Sequence, residues 1–144
     1  MYQRILIPTD GSENTAKAAR AAIELARLGG GELFTVSVKE PFPYSAISEM
    51  QPVPPQEFYD AQERIAAARV KSVMDLAAAA SVPCQGHSVE ALHPWEAIVD
   101  HAQTNQCDLI VMASHGRRGI SALLLGSETQ RVLIHTTLPV LIIR

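Results

Sequence analysis

Short, continuously apolar segments alternate with longer amphipathic segments along this chain, and this alternation limits its fold more than any other feature. The runs at residues 4–8, 33–38, 108–112 and 139–143 have the length and apolar character of strands buried on both faces. Segment 84–89 is polar and alternating, which is typical of an edge strand. Five strands alternating with four helical segments predict an α/β fold, a three-layer open sheet of mainly parallel strands.

Each helix is predicted from its apolar stripe. In the first helix, which Gly29 to Gly31 end, the stripe is Ala16, Ala19, Ile23 and Ala26. In the second, from about Gln56 to before Val82-Pro83, it is Phe58, Ala61, Ile65 and Ala68, continued by Val73, Leu76 and Ala77. The third starts at His93-Pro94 and carries Trp95, Ile98, Val99 and Ala102. The fourth is predicted to begin with a capping box, Ser127 at the N-cap and Gln130 three residues later.

Length and composition narrow the class of protein. We expect the 144 residues to form a single domain, residues 1–144, with a sizeable core. The net charge of −3 disfavours nucleic acid as a partner, because such surfaces carry a basic excess. No apolar run is long enough to span a bilayer and no signal peptide is visible, so we expect a cytoplasmic protein without a membrane partner. Cys84 and Cys107 are interpreted as reduced, buried thiols.

Two loops lie where ligands bind in open parallel sheets, beyond the carboxyl ends of strands. Pro8-Thr9-Asp10-Gly11 follows the first strand, and the glycine loop, residues 113–127, follows the fourth. Backbone amides of such a loop, with the start of the next helix, can converge on a phosphate. Asp10 would then accept hydrogen bonds from a ribose or a base. A Pro-rich connection at 39–56 is interpreted as a flap beside them.

Each of these features also has a purely structural explanation. Asp10 is equally explained by a helix cap or an Asx-turn. Gly116 and Gly119 are explained by chain turns alone, and His115 by a backbone contribution to its loop, since no nucleophile is placed beside it. Arg117 and Arg118 are interpreted as a solvated pair that would screen phosphates at most. The scattered histidines, with His101 on the polar side of its helix, lack metal-ligand spacing.

Other nucleotide motifs are missing from the sequence. No G-x-G-x-x-G follows the first strand, which argues against a dinucleotide oxidoreductase. No G-x-x-x-x-G-K-[ST] occurs either, so the lysine of a P-loop NTPase is absent and no efficient phosphoryl transfer is expected.

Three segments together resemble the universal stress protein family over essentially the whole chain. They are Ile5-Leu6-Ile7-Pro8-Thr9-Asp10-Gly11-Ser12, the stretch from Asp108 through Ser114-His115-Gly116 to Gly126-Ser127, and Leu138-Pro139-Val140-Leu141-Ile142-Ile143. The ATP-binding branch of that family has G-x-x-G, nine residues, then G-[ST]. Here Gly116 and Gly126-Ser127 match, Ala113 replaces the first glycine, and Glu128 stands where a small apolar residue is common.

The resemblance implies an adenine nucleotide alpha hydrolase-like fold and a set of ligand contacts. Pro8, Thr9, Asp10 and Val38 would border adenine and ribose. The phosphates would lie against Met112, Ala113, Ser114, His115, Gly116, Gly126, Ser127 and Glu128. The ligand would be ATP, or AMP or ADP, with Mg²⁺ as a possible companion. Because of Ala113 and Glu128, the site would tolerate a monophosphate or diphosphate better than a triphosphate.

The resemblance further implies a homodimer formed through the last strand, Val140–Ile143. The apolar character of that edge strand independently favours a covering partner. We expect a stress-response sensor or adaptor that changes conformation with nucleotide and acts on a protein partner not identifiable from sequence. The alternatives are an interaction protein of the same family that binds no nucleotide, and a slow ATP hydrolase; no catalytic residue and no metal ligand is assigned.

Overall fold

The computed structural model describes residues 1–42, 55–116 and 124–144. The strands are β1 (Arg4–Pro8), β2 (Glu32–Lys39), β3 (Cys84–Glu90), β4 (Leu109–Ala113) and β5 (Val140–Ile143). The helices are α1 (Glu13–Gly29), α2 (Gln56–Ala79), α3 (Pro94–Thr104) and α4 (Ser127–His135). Among these residues, no helix has the length and apolar character needed to cross a membrane. Most of the expected flap, with residues 117–123 of the glycine loop, falls outside the described part.

The five strands form one parallel sheet in the order β3-β2-β1-β4-β5, which confirms the predicted fold class. In the centre, Ile5 of β1 pairs with Leu33 of β2 on one side and with Leu109 of β4 on the other. The chain therefore places β2 and β3 on one side of β1, and then β4 and β5 on its other side. Strand order reverses between β1 and β4, and the loops that follow these two strands meet at that point.

Alternate residues of the strands fill two separate cores. Ile5 and Ile7 of β1 pack with α1 and α2, in what we call the α1/α2 core. Leu6, between them, packs on the opposite face with α3 and α4, in the α3/α4 core. The three residues are fully buried, as expected for a strand covered by helices on both faces.

Helix α1 is defined by capping at both ends. Ser12 is its N-cap and accepts a hydrogen bond from the amide of Thr15, and Gly30 ends it in the left-handed region at φ 68°. The predicted stripe is confirmed for Ala19, Ile23 and Ala26, which are buried, whereas Ala16 is only half-buried. The stripe on α3 is confirmed as well, with Ile98, Val99 and Ala102 buried.

The predicted buried face of α2 is wrong in the first half of the helix and confirmed in the second half, where Val73 and Ala77 are buried. Ile65 is 44% exposed, and the buried residues are Ala66, Val70, Val73 and Ala77. This helix is rich in alanine all round, so its hydrophobic pattern discriminates weakly between faces. The face is set by contact with β3, where Gly86 allows close approach: a Cβ there would lie 2.1 Å from Val70 Cγ1 and 2.6 Å from Met74 Sδ.

Replacing Gly86 by alanine should therefore destabilise the fold. The added methyl group would overlap two side chains of α2, and overpacking of this kind costs about 1–3 kcal/mol in free energy of unfolding. Urea unfolding followed by circular dichroism measures this. The matched control is Gly29→Ala, whose Cβ would meet its nearest atom at an ordinary 3.5 Å. Equal stabilities of the two variants would contradict the proposed role of Gly86.

Candidate functional site

The loop after β1 holds Asp10 in a fixed orientation. Its Oδ1 accepts hydrogen bonds from the Ser12 amide at 2.9 Å and from Thr15 Oγ1 at 3.2 Å. Asp10 therefore makes the Asx-turn that leads into α1, one of the structural explanations considered from the sequence. The turn fixes where the second carboxylate oxygen lies.

That second oxygen joins the two loops at the switch point. A Cβ on Gly116 would lie 2.3 Å from Asp10 Oδ2, so only glycine fits at this position while the carboxylate stays in place. Gly116 does not have a positive φ, so its requirement is for space. The structure thus brings Asp10 and Gly116 together as predicted, through direct packing. Gly119, Arg117 and Arg118 lie outside the described residues.

The two ends of the glycine loop are held against each other and against β5. The Ser114 amide donates to the Ile143 carbonyl at 2.8 Å, and the Gly126 amide donates to the Ser114 carbonyl at 2.7 Å. A Cβ on Gly126 would lie 3.0 Å from His115 Cα, which is a tight approach. Two amides of the predicted phosphate site are therefore already bonded. Those of His115, Gly116, Ser127 and Glu128 have no acceptor within the described ranges.

Ala113, which replaces a glycine of the family motif, is accommodated without strain. Its methyl group is buried in the α1/α2 core, and its φ is not positive. Its carbonyl accepts a hydrogen bond from Thr129 Oγ1 at 3.0 Å. Thr129, a residue missed from the sequence, thereby ties the first turn of α4 to the end of β4. The signal that could have revealed this contact is a polar residue at a buried position of a helix.

The predicted capping box at the start of α4 is wrong. Gly126 is the N-cap, no side chain caps the helix, and Ser127 is its first residue. The Gln130 side chain donates to the Leu125 carbonyl at 2.6 Å, and its amide donates to the Gly126 carbonyl. Because the Gly126 amide is bonded to Ser114, the chain enters the helix one residue earlier than the S-x-x-Q pattern predicts. The first amides of α4 consequently lack a side-chain acceptor of their own helix.

Glu128, the second departure from the motif, contacts a neighbouring helix. Its Oε2 accepts a hydrogen bond at 2.8 Å from the amide of Trp95, the second residue of α3. The Trp95 ring stacks on His135 at the end of α4, with ring centroids 4.1 Å apart, and on His93 at 6.4 Å. Sequence analysis missed this junction between α3 and α4, because no local pattern reveals a helix capped by a distant carboxylate.

The other residues predicted to contact the ligand lie at or just beyond the carboxyl ends of the central strands. The Thr9 amide donates to the Val36 carbonyl at 2.9 Å, which continues the β1–β2 ladder beyond Pro8. Val38 is half-buried two residues further along β2, whereas the Met112 side chain is buried in the α3/α4 core. Met112 can therefore contribute only its backbone to a ligand.

His115 has a neighbour that the sequence interpretation discounted. Ser114 Oγ and His115 Nδ1 are 3.0 Å apart, and Ser114 is only 6% exposed. The contact orients the imidazole within the glycine loop, so His115 supplies a positioned ring as well as backbone.

A separate open depression of about 250 Å³ lies where β2 and β3 end beside α2. Lys39 Nζ contacts Glu63 Oε2 there at 2.7 Å, and Ser88 Oγ donates to Glu63 Oε1 at 3.1 Å. These contacts, the lysine hydrogen bond first, lower the pKa of Glu63. Three carboxylates line the depression (Asp60, Glu63 and Glu90), so its charge does not suit a phosphate.

The cysteines and histidines outside the glycine loop are not arranged as a metal site. No group of three or more potential ligands occurs in the described part of the chain. Cys107 is buried and Cys84 half-buried, and burial raises the pKa of each thiol to about 11, so both are poor thiolates. His101 faces His87 at 5.0 Å between ring centroids, and its buried Nε2 has no hydrogen-bond partner among the residues that the structure describes. His101, placed by the sequence on the polar side of its helix, is therefore partly enclosed rather than fully exposed.

Comparisons with known proteins indicate one family for this chain. The model of the universal stress protein family matches residues 1–144. A universal stress protein of Thermus aquaticus is 31% identical over 144 residues, with 100% of both chains covered. Universal stress protein MJ0531 of Methanocaldococcus jannaschii is 30% identical over 153 residues, which cover 100% of this chain and 83% of that protein.

A solved structure, a universal stress protein in complex with cAMP, has a TM-score of 0.73 at 28% identity and covers 99% of this chain and 97% of its own. The protein described here belongs to the universal stress protein family. Its sheet and helices have the adenine nucleotide alpha hydrolase-like arrangement of that family.

The partly buried imidazole of His101 makes stability depend on pH. Burial, and next the charge of His87, lower the pKa of His101 below its usual 6.5. The unfolded chain then binds a proton that the native state resists, so the free energy of unfolding should fall as pH drops below 6.5 and level off below the lowered pKa. Urea unfolding between about pH 7.5 and pH 5 measures this.

The variant His101→Gln should flatten that part of the pH profile, whereas His93→Gln, which alters an exposed histidine, should retain it. A profile that His101→Gln leaves unchanged would show that this imidazole does not cause the loss.

Proposed function

We propose that this protein binds an adenine nucleotide at the switch point between β1 and β4. The observation that carries the proposal is the packing of Gly116 against Asp10 Oδ2, which joins the two loops at one edge of the sheet. The family membership and the solved relative in complex with cAMP support the ligand class. Residues 1–144 would act as a single universal stress protein domain.

Different parts of this edge suit different parts of a nucleotide. The amides of His115, Gly116, Ser127 and Glu128, together with the positive end of the α4 dipole, would receive phosphate oxygens. Pro8, Thr9 and Val38, at the ends of two adjacent strands, would border the base. Asp10, held by its Asx-turn, would accept from the ribose, since a rigid acceptor loses little freedom on binding.

In this proposal nucleotide occupancy changes the surface that a protein partner contacts, as a cytoplasmic stress sensor or adaptor requires. The glycine loop is bonded to β5 through Ser114 and to α4 through Thr129, so a ligand that moves the loop also acts on those elements. A homodimer through Val140–Ile143 would cover β5, an edge strand of the sheet whose Leu141 is 37% exposed.

The first test is to identify the small molecule that co-purifies. Denaturing release and mass spectrometry should recover an adenine nucleotide, and calorimetric titration of the emptied protein with AMP, ADP and ATP, each with and without Mg²⁺, should give measurable affinities. A protein that ignores all three nucleotides at millimolar concentration would overturn the proposal in favour of a family member that acts through protein contacts alone.

The variant Gly116→Ala should weaken nucleotide binding by at least about tenfold. Its methyl group would push Asp10 away or displace the loop, and misplaced donors lose a charge-assisted hydrogen bond of roughly 1.5–3 kcal/mol. Titration calorimetry measures the affinity, and thermal unfolding checks that the variant stays folded. Gly29→Ala, in an unrelated part of the chain, is the matched control and should bind as the parent does. Equal affinities of the two variants would exclude this loop as the binding site.

The dimer proposal has its own test. Leu141→Lys places a charge on the open edge of β5 and should convert a dimer into a monomer, measured by light scattering after size-exclusion chromatography. Leu28→Lys changes a leucine that is 76% exposed at the far end of α1 and should leave the dimer intact. A parent protein that is already monomeric at high micromolar concentration would contradict the proposal.

A further inference from the structure

Two helix N-termini lie side by side at the carboxyl edge of the sheet. Helices α3 and α4 each follow a strand of the parallel sheet, so both begin at the same edge. The hydrogen bond from the Trp95 amide to Glu128 Oε2, 2.8 Å long, joins their first turns directly. Two positive helix ends would otherwise attract an anion jointly.

The carboxylate of Glu128 opposes this joint attraction. Each helix N-terminus is equivalent to roughly +0.5 of an elementary charge, so two of them sum to about +1. One carboxylate supplies the opposite unit charge, and its hydrogen bond to α3 keeps it at the junction. Among the described residues of this edge, the positive charge left for a bound phosphate is therefore small.

The amide donors are limited as well. Among the described residues of the glycine loop, the Ser114 amide is bonded to Ile143 and the Gly126 amide to Ser114. A second carboxylate, that of Asp10, packs against Gly116 of the same loop. A ligand with one phosphate needs few donors, whereas a triphosphate brings about two more negative charges to the same edge.

We propose that Glu128 is a specificity-determining residue that makes this site prefer a nucleoside monophosphate over the triphosphate. This inference rests on the proposed nucleotide site and adds the phosphate number that the site accepts. The residue acts through its charge, because its hydrogen bond to Trp95 requires only an acceptor oxygen and not a carboxylate.

The test compares the parent protein with Glu128→Gln, which keeps an oxygen for the Trp95 amide and removes the charge. Dissociation constants for AMP and ATP are measured calorimetrically at about 10 mM ionic strength with EDTA, where screening is weakest. The parent should bind AMP more tightly. The substitution should improve ATP binding about fourfold more than AMP binding. The factor follows from the two additional negative charges of ATP, taken to lie roughly 10 Å from the carboxylate in water.

Two controls separate charge from structure. Glu24→Gln removes the same charge from α1, where Glu24 pairs with Arg27 at 2.8 Å, and should leave the ratio of the two affinities unchanged. In about 1 M salt the effect of Glu128→Gln should shrink, because the screening length falls to roughly 3 Å.

The outcomes distinguish this inference from the proposed function. An unchanged ATP-to-AMP ratio in Glu128→Gln, or an equal weakening of both nucleotides, overturns the role of Glu128 while the nucleotide site stands. Failure of every nucleotide to bind either protein overturns the site and this inference together.

Discussion

The contact between Asp10 Oδ2 and Gly116 leaves no room for any side chain at position 116, and the candidate site depends on this lack of room. Asp10 is fixed by the turn into α1, so the loop after β4 must adapt to the loop after β1. The position of that loop in turn determines where α4 begins, through the bond between Gly126 and Ser114. One steric constraint at the centre of the sheet therefore orders three elements.

Local signals in the sequence were sufficient for the strands, for α1 and α3, and for the two loops that meet. The buried strand β4 is apolar at every position and β1 at every position after Arg4, and Gly30 ends α1 by a conformation that other residues rarely adopt. The buried face of the first half of α2 was not predictable, because alanine is small enough to suit either environment and the contact with Gly86 on β3 is not visible in the helix pattern.

The site was predictable in outline but not in its hydrogen bonds. Sequence spacing locates Asp10 and Gly116, yet it cannot show that Ser114 is bonded to β5 or that Glu128 caps α3, since both partners are distant in sequence. The capping-box prediction at Ser127 failed for the same reason, because a long-range bond to Gly126 outweighed a local pattern. Departures from a family motif are thus best interpreted together with what their side chains contact.

The stacking of Trp95 on His135 has an optical consequence. Trp95 is the only tryptophan in the chain, so all indole emission arises from the junction between α3 and α4. An excited indole is quenched by a nearby imidazole, most strongly when that ring is protonated. Since the Trp95 amide is bonded to a residue in the first turn of α4, small displacements of that helix alter the environment of this one fluorophore. The protein therefore contains an intrinsic reporter of the geometry beside its candidate site, without any added label.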